Sequence, residues 1–263
     1  MADHNAEQLA PTPGERAGAF FKRTDVVRTA IYFVLWTALF TVLGTVFYPK
    51  WMPVIMSVEM KSAEKIMVWF TVISAPIAAI VLAVATNAFI NGHRGDTPPP
   101  DGPAVRTNGP VVAVWTITST VFALVAIIWG LTEMNGQAVA AAKDAKSAIT
   151  VEVTGSQWLW TFNYPAQGIE THELNLPVNV PVIFDVKSAD VNHSFWPVQL
   201  GVKVDANSHV TTVIHSTPTK VGPIDVKCAE LCGLYHAYME TSGEVQSQSD
   251  FNAWVVAQGG HNA

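Results

Sequence analysis

The chain has 263 residues, of which 49% are hydrophobic and only 14% charged, with a formal net charge of −6. Soluble domains carry roughly 25% charged residues, so part of this surface faces something other than water. The C-terminal half contains no basic stripe, which makes nucleic acid a poor candidate as its partner.

Three stretches lack any Asp, Glu, Lys or Arg: Ile31 to Tyr48, Ile66 to Ile90 and Val111 to Thr132. A bilayer core about 30 Å thick takes roughly 20 apolar helical residues, and each stretch fits. This gives an N-terminal cytoplasmic segment (1–30), a membrane region (31–132, spans 31–48, 66–90 and 111–132) and a head (133–263). Arg16, Lys22, Arg23 and Arg28 precede the first span, and Arg94 and Arg106 lie between the second and third, among Pro98, Pro99, Pro100 and Pro103. Positive charge marks the cytoplasmic side, so the path reads in, out, in, out, with the head extracytoplasmic. Lys50, Lys61 and Lys65, in a loop this path puts outside, count against it. No small-residue cleavage site follows the first run before Pro49, so it reads as a retained helix and not as a signal peptide. Pro76 is expected to kink the second span. Met52, Met56 and Met60, four apart, read as the packing face of a short interfacial helix.

Residues 133–263 carry 13 acidic and 6 basic side chains, against 8 and 9 in residues 1–132. Such an acidic head attracts basic partners at long range. Its segments alternate apolar with polar residues, as in Ile149–Val153, Val182–Val186 and Val210–Ile214, between turn formers such as Gly155, Pro165, Gly168 and Pro181. Short strands at regular spacing predict an antiparallel sandwich or barrel. Asp250 to Ala257 reads as a closing helix capped by Asp250.

The chemistry concentrates in Cys228-Ala-Glu-Leu-Cys232-Gly-Leu-Tyr-His236-Ala-Tyr-Met239, with His193 lying 35 positions before Cys228. Thiolate, imidazole and thioether suit copper and zinc. A disulfide would explain the cysteines but leave Glu230, His236 and Met239 without a role. Structural zinc has no use for methionine, and a mononuclear blue-copper site leaves one thiolate over. Two copper ions bridged by both thiolates employ every donor: His193 and His236 take one ion each, and Met239 and the Glu230 carbonyl complete the shell.

Cys-x-x-x-Cys-x-x-x-His-x-x-Met, with Asp190-Val-Asn-His193-Ser194 upstream, resembles the binuclear copper motif of cytochrome c oxidase subunit II in the haem-copper oxidase family. The resemblance runs from about residue 66 to 257. It includes the aromatic run Gln157-Trp-Leu-Trp-Thr-Phe-Asn-Tyr-Pro165 and Val114-Trp-Thr116 of the last span. It implies a cupredoxin-like Greek-key sandwich above three transmembrane helices. It also implies electron transfer from a c-type cytochrome, through two copper ions, to the haem-copper catalytic subunit I that reduces oxygen to water. Proton translocation by the assembled oxidase and contact with its other subunits belong to the same expectation, as does a place in the cell's inner membrane. Trp158 is implied as the residue through which electrons enter, and the Glu230 side chain as a magnesium ligand bordering subunit I.

The chain departs from the family in its first span, where many members show two after processing. The glutamate that many carry before the last span is replaced by Val111-Val112-Ala113-Val114, which leaves no acidic residue there for proton uptake. No Cys-x-x-Cys-His is present, so no fused c-type haem is expected. Quinol oxidase subunits share the architecture without the copper ligands, nitrous oxide reductase needs no spans, and copper-storage proteins favour open Met/His sites. His172, His209 and His215 read as packing or surface residues.

Overall fold

The computed structural model describes residues 23–92, 108–144 and 146–262. Arg16, Lys22, Arg94, Arg106 and the Pro98–Pro100 and Pro103 group, on which the cytoplasmic assignments rest, lie outside them. Three helices are long and apolar enough to cross a membrane: Thr24–Trp51, Val58–Asn91 and Gly109–Gly136. The first comprises α1 (Arg23–Val42), a π-helical turn (Leu43–Phe47) and a last turn at Tyr48–Trp51. α2 spans Val58–Asn91 and continues through Pro76 without a break; α3 spans Gly109–Asp144.

α1 and α2 are fitted to each other. Gly44 is buried within the π turn, where a β-carbon would overlap the Thr71 side chain. The Trp36 indole donates to Thr86 Oγ1 at 3.1 Å. Ala75, Ala79 and Ala83 are buried at four-residue spacing, the small-residue pattern that lets helices approach closely in lipid.

Contacts divide the chain into two units. One holds the described residues of Met1–Tyr48 with Val68–Ile127; the other holds Pro49–Met67 with Ile128–Ala263. The loop between the first two spans thus belongs with the head.

The head is a two-sheet β-sandwich. Its strands are β1 (Ile149–Ser156), β2 (Leu159–Tyr164), β3 (Ile169–Thr171), β4 (Leu174–Pro177), β5 (Val182–Ser188), β6 (His193–Pro197), β7 (Val204–Ala206), β8 (Thr212–Ser216), β9 (Gly222–Cys228) and β10 (Glu240–Gln246). They form two sheets, ordered β3-β2-β1-β5-β8 and β4-β10-β9-β6-β7. The expected all-antiparallel pairing fails at two places, because β1 pairs with β5 and β4 with β10 in parallel. Alternation encodes which side chains point inward, not strand direction; chain crossings between the sheets bring these pairs together.

Inward residues of both sheets meet around Phe195. Its ring centroid lies 5.2 Å from Phe184, 5.7 Å from Trp160 and 6.3 Å from Phe162. Each such aromatic removes on the order of 150–250 Å² from water. The closing helix α4 spans Gln248–Ala257, and its cap is Ser247, not Asp250. Ser247 Oγ accepts the Asp250 amide at 3.2 Å; Asp250 occupies the third helical position, where its charge favours the helix start.

The loop between the spans forms a strap on the head. Residues 53–56 are extended and not helical, which corrects the reading of a methionine-faced helix. The Met56 amide donates to Gln199 O at 3.1 Å, and its carbonyl accepts from Thr219 N at 2.7 Å. Ser57 Oγ caps α2 by accepting from Met60 N and donates to Leu200 O. Glu59 accepts from Ser216 Oγ and Thr217 N, both at 3.0 Å. Met56 and Met60 are buried; Met60 lies against Gly201, whose positive φ of 67° also suits glycine. Their role is packing. Because the strap is attached to the head, the loop with Lys50, Lys61 and Lys65 shares its side of the membrane. α2, 34 residues long, measures about 51 Å at 1.5 Å per residue, so its charged first turns extend beyond the hydrocarbon.

Glu59→Ala leaves two part-buried donors, Ser216 Oγ and Thr217 N, without their acceptor and is expected to cost about 1–2 kcal/mol, measured by denaturant unfolding of the full chain in detergent. A loss below ~0.5 kcal/mol, typical of an idle surface site, would show that the strap does not hold the head.

Candidate metal centre

Strand pairing brings the donors together. His193 opens β6 and Cys228 ends β9; these strands are neighbours, with Phe195 opposite Cys228. The 229–239 loop leaves and returns at one point, where the Cys228 amide donates to Met239 O at 3.0 Å. A 3-10 turn at His236–Tyr238 aims His236 inward. Gly233 has a φ of 123°, and a β-carbon there would stand 2.9 Å from Gln157 Nε2. That amide donates to Cys232 O at 2.7 Å, tying the loop to the β1–β2 turn.

Cys228 and Cys232 are free thiols with sulfurs 3.7 Å apart, so they form no disulfide, whose bond is about 2.05 Å. His193 Nδ1 lies 3.8 Å from Cys228 Sγ, and His236 Nδ1 lies 3.5 Å from Cys232 Sγ. Each sulfur also has an outer neighbour: Glu230 O at 3.2 Å from Cys228 and Met239 Sδ at 3.7 Å from Cys232. With metal–sulfur bonds of about 2.3 Å and metal–nitrogen bonds of about 2.0 Å, tetrahedral ligation spaces sulfurs about 3.8 Å apart and sulfur from nitrogen about 3.5 Å. The donor set therefore fits a soft metal, and its thiolate, imidazole and thioether character suits copper. Among the described residues, His193, Cys228 and Cys232 bring ligand atoms within 4.8 Å of one another.

Charge and hydrogen bonding orient these groups. His193 is fully buried, and its Nε2 lies 2.8 Å from Asp190 Oδ1. Burial alone would raise the Asp190 carboxyl. Hydrogen bonds from His193 and from the Gln157 and Val191 amides, both at 2.7 Å, outweigh it and hold the pKa below the ordinary carboxylate value. An ionised carboxylate only accepts, so Nε2 is the donor of this hydrogen bond, and Nδ1 is the ring nitrogen turned toward Cys228. Burial, then the neighbouring Cys228, pushes the Cys232 thiol up to about 11.

Trp158 follows a cis Gln157–Trp158 peptide bond and is half-buried. It meets Tyr235 edge-on at 4.7 Å, against the metal loop. The Glu230 side chain is exposed. His172 lies apart from the sulfurs, with Nδ1 3.1 Å from Trp160 O. Sequence reasoning missed the work of Asp190, although it sits three residues before His193, and of Gln157, whose partner is 75 positions away.

The family model for the periplasmic domain of cytochrome c oxidase subunit II matches residues 169–245. Cytochrome c oxidase subunit 2 of Thermostichus vulcanus is 43% identical over 106 residues, 40% of this chain and 32% of that protein. The Synechocystis protein of the same name is 27% identical over 250 residues, 78% of this chain and 75% of its own. The periplasmic domain of cytochrome oxidase subunit II from Bradyrhizobium japonicum, a solved structure, is 30% identical, with 42% of this chain and 93% of that chain covered and a TM-score of 0.41. Over residues 169–245 and across these relatives the chain is similar to cytochrome c oxidase subunit II, and its three long apolar helices with a head similar to that family's periplasmic domain mark it as a membrane protein with an extracytoplasmic head.

Proposed function

We propose that this chain is the electron-accepting subunit of a cytochrome c oxidase. Its head takes single electrons from a c-type cytochrome and delivers them to the haem-copper catalytic subunit, where oxygen is reduced to water and protons are moved across the membrane. The observation that carries this reading is the paired thiol core, in which each sulfur has its own histidine and its own outer donor. Cys228, Cys232, His193, His236, Met239 and the Glu230 carbonyl would hold two copper ions. Held there, copper would supply one-electron chemistry.

The protein's part is to keep the donors still and dry. Cys228, Cys232, Met239 and His193 are buried among the aromatic core residues, so their positions are limited by close packing. Asp190 fixes the His193 ring, and the Gln157 amide fixes the Cys232 carbonyl. Above them, Leu231, Leu234, Tyr235 and Tyr238 are exposed on the loop. An exposed apolar patch of this kind is the character of a protein contact surface. Trp158, wedged against Tyr235, is the residue through which electrons enter. The exposed Glu230 carboxylate is an oxygen donor available to magnesium at the border with subunit I. The natural setting is the cell's inner membrane, with residues 1–30 cytoplasmic, spans within 31–132 and the copper domain (133–263) outside. Val111–Val114 offer no ionisable group for proton uptake.

Full-length protein loaded with copper is expected to bind two ions and to give an electron paramagnetic resonance spectrum of one electron shared equally between them. Cys228→Ser and Cys232→Ser should abolish the shared pattern, and His172→Ala should keep it; a single-copper spectrum in the parent would reject the reading.

Because the Cys232 thiol stays protonated up to a pH of about 11, metal loading at neutral pH must displace its proton. Affinity should therefore rise with pH, by up to about tenfold per unit for each proton released, and level off near that value. Calorimetry in buffers of different ionisation heat counts the protons, and a heat independent of buffer would exclude the thiol as donor.

Trp158→Ala is expected to leave the copper spectrum unchanged and to slow reduction by a c-type cytochrome roughly tenfold, about 1.4 kcal/mol on the barrier. Unchanged stopped-flow rates would remove Trp158 from the route.

A further inference from the structure

β1 turns Val151, Val153 and Gly155 toward the interior. The two valines fill their places with side chains. At Gly155 the place is taken by the His193 imidazole, which arrives from β6 of the opposite sheet. A β-carbon on Gly155 would stand 3.0 Å from His193 Cδ2, 3.2 Å from its Cγ and 3.1 Å from Trp160 Cζ3. Trp160 is the cross-strand partner of Gly155 and meets the imidazole edge-on, with centroids 6.0 Å apart. The ring is thus bounded on one side by bare backbone and on another by an indole.

The backbone of Gly155 acts on the same histidine. Its carbonyl accepts the Ala189 amide at 2.9 Å, and the next residue, Asp190, accepts a hydrogen bond from His193 Nε2 at 2.8 Å. Gly155 is not among the positive-φ glycines, so its conformation is one any residue adopts. Glycine inside a strand weakens it and often marks a close approach. Here the approaching group is a metal-facing imidazole.

We propose that Gly155 is a positioning residue for His193: having no β-carbon, it lets the imidazole close onto β1 and so sets the line along which Nδ1 faces Cys228 Sγ, 3.8 Å away. Its consequence for copper rests on the function proposed above; the placement of the ring does not.

The test uses the full-length protein in detergent, with isotope-labelled histidine, first metal-free and then with copper. In the metal-free parent, His193 Hδ2 should show cross-relaxation to the Gly155 α-protons, and the ring should carry its proton on Nε2. Gly155→Ala should shift the His193 ring signals while those of His172 and His215 stay in place. With copper added it should weaken binding roughly 10- to 100-fold, the range for lost orienting contacts around a metal ligand, and make the two ions inequivalent in the resonance spectrum. Val153→Ala, on the same face two residues away, should lower the melting temperature without moving the His193 signals. The proposal is overturned if Gly155→Ala leaves the ring signals unchanged, if Val153→Ala moves them equally, or if the parent shows no such cross-relaxation. That last measurement needs no variant, so it decides the matter even if Gly155→Ala does not fold. If the parent binds no copper, the copper reading fails, while the metal-free signals still judge Gly155.

Discussion

Two buried thiols stand 3.7 Å apart without bonding, and the rest of the head is arranged around that separation. Left to themselves, adjacent thiols in an apolar interior hold their protons, and Cys232 does so strongly. Their distance is imposed from outside. Cys228 is fixed at the end of β9 by pairing with β6 and by the amide link to Met239. Cys232 is fixed through its carbonyl by Gln157. A soft cation that displaced the thiol protons would turn this costly arrangement into a favourable one, because thiolates are its natural donors.

The histidines are treated differently. His193 belongs to a strand, is fully buried and is oriented by an ionised carboxylate, so its position follows from the sandwich. His236 belongs to the loop, is only half-buried and takes its direction from a short 3-10 turn. One donor of each kind on either sulfur gives a centre with one rigid side and one side near the surface. The exposed side is also where Tyr235 and Trp158 pack together and where the apolar loop residues face outward. Access from a partner and rigidity of the core are therefore separated across a single pair of sulfurs.

The membrane portion shows a similar economy. α1 is matched to α2 by a glycine notch, an indole hydrogen bond and a row of alanines. Beyond its last turn, the chain becomes the strap that pairs with the 199–201 and 216–219 segments of the head. Lysines in that loop looked like counter-evidence for its placement outside. The strap's hydrogen bonds tie that loop to the head, so the two go together.

By itself the sequence marked the three candidate spans, the β character of the head and His193, Cys228, Glu230, Cys232, His236 and Met239 as candidate donors, because charge-free length, alternation and residue chemistry are local properties. Asp190 was visible within its motif, but its partner was not, since a hydrogen bond to His193 depends on how a loop folds back. Tertiary structure alone decided the parallel pairing of β1 with β5, the extended strap in place of a methionine-faced helix, the Ser247 cap and the space that Gly155 leaves for an imidazole. Each of these depends on which distant segments occupy the same volume. Periodicity along one chain says which way a side chain points, but not what it meets.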